Sequence, residues 1–203
     1  VMAGYSSKNE FSFPGFEREV AQAIAYEIPL VVSALAVVPL VAVFADTDAP
    51  LRMSNVVAAQ QGPLFGVSGL PIPNWFIFAQ PVAAILFFVS ILAEFSRNPF
   101  DLPEAGSELV AGYLTEYGGV NFVLLFLAEF AAIYFGGALF TALFLGGVWF
   151  LGKTFVFYLV VQWFRATIPR VRIDQLLDLG WKYLLELTFL NLLLTAGILW
   201  VVL

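Results

Sequence analysis

Apolar residues run along this chain in blocks too long for an ordinary globular core. The blocks cover about 21–44, 75–94, 121–145, a stretch from just after Gly146-Gly147 to about 164, and 183–203. About 20 apolar residues cross a hydrocarbon core as a helix. The pattern therefore predicts an all-α, polytopic transmembrane fold with about five membrane-spanning helices, forming a single membrane domain over 1–203. Trp75 is an interfacial anchor at one end of the second span, and the glycine pair predicts a tight turn between the third and fourth. Segment 45–74 is rich in Pro, Gly, Asp and Gln and has no periodicity. It reads as an irregular loop with little chemistry to offer. The opening "VMAGYSSKNEFSFPGFEREVAQ" reads as neither a span nor a secretory signal, which needs a basic region followed by an apolar one.

Composition supports the membrane reading. The chain is 61% hydrophobic and 12% charged, roughly half the charge of a soluble domain. It has no cysteine and no histidine, so disulfides, thiolate metal sites, the usual zinc ligand and the usual neutral-pH proton carrier are excluded. Proton chemistry falls to carboxylates, with Lys and Tyr as lesser candidates, and no metal site is expected. A net charge of −6 argues against a nucleic-acid partner.

The nine basic residues set an orientation. Lys8, Arg18, Arg97, Arg165, Arg170, Arg172 and Lys182 fall on one set of inter-span segments, and only Arg52 and Lys153 on the other. The first set is expected inside, which places 95–120 as an acidic cytoplasmic loop. That loop lies within "AEFSRNPFDLPEAGSELVAGYLTEYGG". Pro99 pushes Asn98 out of the helical region, so a helix running through Glu94 must stop there. Asp101 stands three residues before Glu104, a capping-box spacing, and Pro103 suits a first helical turn. A short helix over about 103–111 puts Glu104 and Glu108 on one face, where unpaired like charges repel by a few tenths of a kcal/mol. Glu116 and Tyr117 follow, and Gly118-Gly119 end the segment.

A solvated acidic loop, or a surface for a neighbouring subunit, would account for this stretch alone. The carboxylates in the spans argue for more. Glu27 sits within the first span, Glu129 within the third and Glu94 at the mouth of the second. A charged carboxylate at the bilayer centre costs at least ~2.5 kcal/mol on insertion scales, so such groups face protein and mark proton or ion paths. For each acid separately, a structural hydrogen bond to another helix is the alternative; together with the loop they read as a relay. Glu129, about eight residues or ~12 Å into its span, needs a partner from another helix, with Glu27 or Glu94 as candidates.

"AEFSRNPFDLPEAGSELVAGYLTEYGG", "AYEIPL" and "RATIPRVRIDQLLDLGWK" resemble the subunit 1 family (the H subunit in bacteria) of respiratory complex I, the proton-pumping NADH–quinone oxidoreductase. The resemblance extends over essentially the whole chain. It implies a membrane subunit that joins the peripheral redox arm to the membrane arm. Arg97, Asp101, Glu104 and Glu108 would belong to the quinone-chamber loop. Glu27, Glu94, Glu104, Glu108, Glu116 and Glu129 would form the proton relay and coupling path. Arg165, Arg170, Arg172, Asp174 and Asp178 would face the peripheral arm. The resemblance also implies quinone as substrate, an iron–sulfur cluster held only by a partner subunit, membrane-arm and peripheral quinone-site subunits as partners, surrounding membrane lipid, and the cell inner (plasma) membrane rather than the mitochondrial one.

Two departures qualify it. Family members begin with further helices and an amphipathic segment, so this chain reads as a fragment, a split gene product or a truncated chain, without a complete quinone site of its own. Gly106 stands where the family usually has another acid, and Leu114 where many members place a polar residue. Two other readings stay open: the equivalent subunit of a membrane-bound hydrogenase or a ferredoxin- or F420-linked complex, and a scaffold fragment that carries no protons.

Overall fold

The structure, a computed structural model, describes residues 5–6, 12–45, 49–61, 74–96, 98–101, 117–147 and 149–202. Every regular element among the described residues is a helix, with no strand among them. Helices α1 (Ser12–Leu35) and α2 (Val38–Ala45) follow each other almost without interruption. Then come α3 (Met53–Ala59), α4 (Phe76–Ala79), α5 (Pro81–Glu94) and α6 (Val120–Phe140), which runs into a π-helical turn at Thr141–Leu145. After α7 (Phe150–Thr167), helix α8 (Ile173–Asp178) passes through a second π-helical turn, Leu179–Leu184, into α9 (Leu185–Val202).

Three of these helical units, Ser12–Phe44, Val120–Leu145 and Ile173–Trp200, are long and apolar enough to cross a membrane. The other two expected spans look different. The second is broken: Gln80 leaves the helical region at φ −136°, ψ 68°, and Pro81 begins a new helix. Proline has no N–H to donate and suits the first helical position. What remains, α5, has 14 residues, about 21 Å of rise against a hydrocarbon core of about 30 Å. The fourth, α7, is continuous, but Lys153, Gln162 and Arg165 dilute its apolar character.

Two expected loops also differ. Segment 45–74 is not wholly irregular. It contains α3, and just after that helix the nearly inaccessible Gln60 donates from Nε2 to the Ala142 and Leu143 carbonyls at 2.9 and 3.2 Å. The segment therefore braces the first π-helical turn. Likewise, the 165–182 connection narrows to five residues, 168–172, because Ile173 already starts the last helix.

Short α5 is the centre of the packing. Ala83, Ala84, Leu86, Phe87 and the run from Ser90 to Ala93 are all buried. A helix apolar on all sides belongs in a protein core or a membrane; α1 lies along one side of α5, while Val82 and Ile85 stay exposed. On the other side, Phe87, Phe88, Phe140, Phe144, Phe157 and Phe164 interlock with ring centroids 5.1–6.3 Å apart. Close approach depends on Gly136 and Gly137. A Cβ at Gly136 would overlap Phe95 and Ile91, and one at Gly137 would come within 2.8 Å of Phe157. The pair thus admits α5 on one side of α6 and α7 on the other. Gly146 makes the expected turn with a φ of +70°, a region that only glycine enters readily.

Candidate functional site at the root of the acidic loop

Where α5 ends, the chain must leave the helix and enter the acidic loop, and four elements hold it there. The last carbonyls of any helix lack internal partners. Gln22 of α1, 2% exposed, satisfies one by donating from Nε2 to the Ala93 carbonyl at 2.6 Å, and reaches the Phe100 carbonyl at 3.1 Å. One side chain therefore clamps the chain on both sides of the turn. Ser96 takes a positive φ of 46°, and the Asn98-Pro99 bond is cis.

Asn98 faces the opposite way. Its Nδ2 donates to the Arg165 and Ile168 carbonyls at 3.0 and 2.9 Å, satisfying the C-terminal end of α7. The Val171 N–H donates to the Pro99 carbonyl at 3.0 Å. Arg170 meets Asp101 at 3.3 Å, their side chains 31% and 26% exposed. Beneath them Phe100 is buried with its ring 5.9 Å from that of Tyr26. The Tyr26 hydroxyl donates to the Leu176 carbonyl at 2.8 Å, just before the second π-helical turn. On the far side of the loop, Tyr117 hydrogen-bonds Ser6 at 2.6 Å. The root is thus a main-chain knot tied by the buried Gln22 amide, the partly exposed Asn98 amide and a buried phenol, with the Arg170–Asp101 ion pair at its rim.

Carboxylates gather beside the knot. Glu94 closes α5 at an exposed position, and Glu27 and Glu19 of α1 lie close enough for their charges to act on it. Glu129 is half-buried on α6. It shares a helical stripe with the buried Ile133, Gly136, Gly137 and Phe140, at the i, i+4, i+7 spacing of one helix face. That stripe carries the glycines facing α5 and α7, so Glu129 is directed toward protein.

Comparison with known proteins decides the family. The family model described as NADH dehydrogenase matches residues 1–196. The chain belongs to the NADH dehydrogenase family. It is 43% identical over 209 residues to the NADH-quinone oxidoreductase H subunit of Geobacillus kaustophilus (strain HTA426), covering 97% of this chain and 57% of the relative. It is 41% identical over 204 residues to the protein of the same name from Dehalococcoides mccartyi (strain ATCC BAA-2266 / KCTC 15142 / 195), covering 96% and 52%. With the same-named protein of Carboxydothermus hydrogenoformans the identity is 39% over 208 residues, covering 96% and 54%. The chain thus spans little more than half the length of these curated relatives. The resemblance carried by the loop motifs is borne out, and this NADH dehydrogenase family member is a membrane protein.

Within this family member, the structure brings several expected site residues together. Glu27 and Glu94, both exposed, lie within electrostatic range of each other, and Asp101 pairs with Arg170, joining the expected chamber loop to the expected peripheral-facing segment. Arg165 contributes its carbonyl to the knot. Arg172 is exposed at the start of α8, where its N–H is 3.4 Å from Gln175 Oε1. Asp174 lies in the first turn of α8, where a negative charge suits the helix dipole. Asp178 pairs with Lys182 one turn on, at 2.8 Å. These two acids thus have local helical roles. Arg97, Glu104, Glu108 and Glu116 lie outside the described residues.

Gln22, Tyr26, Asn98 and Glu19 were missed in the sequence. The available signal was the pair Gln22 and Tyr26, polar groups at i and i+4 in an apolar run, which share one helix face.

Proposed function

We propose that this chain belongs to the membrane subunit of a proton-translocating NADH–quinone oxidoreductase that helps form the quinone chamber and couples quinone reduction to proton transfer. The observation that carries the reading is a loop root that neighbouring helices hold in a defined shape, with Glu94 at its edge and Glu27 and Glu19 of α1 within electrostatic range of it. Like charges set close together do not stabilise a fold. Such a group makes protonation sensitive to any nearby change of charge, and reducing a quinone brings about such a change. Electrons would arrive from an iron–sulfur cluster in a peripheral partner subunit, since this chain has no thiolate to hold one. The signal would run from the loop acids Glu104, Glu108 and Glu116 to Glu94 and Glu27, and on to Glu129. Arg165, Arg170, Arg172, Asp174 and Asp178 would face the peripheral subunits. The proposed arrangement has five spans, with α4 and α5 together forming the second, in the bacterial plasma membrane and with the acidic loop inside.

The test is Glu94→Gln in the assembled complex. Quinone-linked turnover and proton translocation should fall together while subunit content stays unchanged. Unchanged pumping in an assembled variant would falsify the assignment of Glu94 to the path.

A further inference from the structure

At the opposite end of the bundle from the loop root, two cavities meet. The larger, of about 720 Å³, is a groove between α5 and α7 with walls such as Ile85, Phe88, Val156 and Val160. The smaller, of about 350 Å³, is walled mostly by apolar surface and has the amides of Gln60 and Gln61 in its lining. Lys153 and Trp149 line both. An apolar trough therefore opens into a smaller pocket whose polar groups are two amides and, at the junction, a cation.

That cation is held by a carbonyl and an aromatic ring. Lys153 Nζ donates to the Leu145 carbonyl at 2.5 Å and lies 4.2 Å from the centroid of the Trp75 ring. Among the described residues no carboxylate pairs with it. Gln60 supplies an independent sign of a ligand. It is 1% exposed, and while its Nε2 is bonded to backbone carbonyls, its Oε1 has no hydrogen-bond partner among the described residues. An orphaned buried acceptor calls for a donor. Trp75 and Trp149, the latter 82% exposed, mark this level as a membrane–water interface.

We propose that the two cavities together bind one anionic glycerophospholipid with a hydroxyl-bearing head. An acyl chain lies in the groove and follows α7 from Lys153 to Val160, about 10 Å of helix. Lys153 faces the phosphate, and a head-group hydroxyl donates to Gln60 Oε1. Charge complementarity selects the anionic class, and the orphaned acceptor selects a head with a free hydroxyl.

The experiment uses the full-length protein with the subunits that accompany it, titrated with phosphatidylglycerol or phosphatidylcholine and read by native mass spectrometry. Phosphatidylglycerol should bind the native protein in preference to phosphatidylcholine. Lys153→Gln should weaken phosphatidylglycerol binding about fivefold, the affinity change of one lysine at an anionic surface, and Lys153→Arg should retain it. Gly152 lines the groove, and a Cβ there meets nothing within 4 Å. Gly152→Phe therefore fills the trough without a clash at its root and should abolish binding even if Lys153→Gln fails to assemble. Equal binding of the two lipids, or binding indifferent to Gly152→Phe, overturns the proposal. So does a photocrosslink from position 152 to another subunit, which would identify the occupant as a protein helix. None of these readouts depends on quinone chemistry, so the site can fail without affecting the proposed function, and the reverse.

Discussion

Gln22 does more for the candidate site than any of the acids that draw attention in the sequence. Its amide holds carbonyls on both sides of the turn after α5, and a leucine there would leave both without that donor. Losing a buried partner costs about 1–3 kcal/mol. Gln22→Leu should therefore lower the thermal stability of the full-length protein by that order, and Tyr26→Phe, which removes a single donated bond, by about 1 kcal/mol. Denaturation of the detergent-solubilised variants measures both. The Arg170–Asp101 pair should matter less. It is partly exposed, and such pairs are worth ~0.2–1 kcal/mol. A double-mutant cycle with Arg170→Gln and Asp101→Asn should give a coupling in that range that shrinks with added salt. Glu94→Gln separates stability from function: it removes a charge crowded by Glu19 and Glu27, so the variant should be no less stable than the native protein even as coupling fails. A large loss of stability instead would show that the carboxylate is a structural hydrogen-bond acceptor.

At the scale of elements, the breaks in the helices have identifiable supports. Each π-helical turn meets a buried side-chain donor from another element. Gln60 donates to the carbonyls of Ala142 and Leu143, and Tyr26 donates to the carbonyl just ahead of Leu179–Leu184. At the break between α4 and α5, Gln80 hydrogen-bonds Thr195 of α9. Irregular backbone at membrane depth persists only where protein or water satisfies it, and these side chains serve that need. Helix contact rests on the glycine pair of α6. Gly136→Val would drive a branched side chain into Phe95 and Ile91 and should cost at least ~1–3 kcal/mol, the usual effect of overpacking. Gly152→Ala is the contrasting case, because its Cβ meets open space. It should be neutral, or stabilising by up to ~1 kcal/mol from helix propensity. Parallel thermal melts would check the pair, and equal losses would mean that α6 does not pack as described.

For the whole molecule, orientation is the property to establish. The chain has no cysteine, so single cysteines report without background. Ser54→Cys and Thr167→Cys are both exposed positions. In intact cells a membrane-impermeant maleimide should label position 54 and spare position 167, and after permeabilisation it should label both. Labelling of position 167 from outside would reverse the proposed topology and place the loop root on the wrong side for a peripheral arm.

The apolar blocks, the unequal sharing of basic residues and the loop motif determined by themselves that this chain is a helical membrane protein of this family. Those properties are local or compositional: one segment's hydrophobicity decides whether it prefers lipid, whatever the other segments do. The break at Gln80 was half legible, since Pro81 disfavours helix in the residue before it. Its tolerance depended on Thr195, 115 positions away. The acids too were readable as residues that need a reason to be there, but only packing brought Glu19 and Glu27 of α1 up to Glu94. The loop knot and the brace at Gln60 were left entirely to the tertiary structure, and the physical reason is common to both. Their acceptors are main-chain carbonyls, 71 residues from Gln22 and 150 from Tyr26. Every residue carries a carbonyl, so the acceptor leaves no mark in the sequence, and only the fold decides which one a buried amide or phenol will meet.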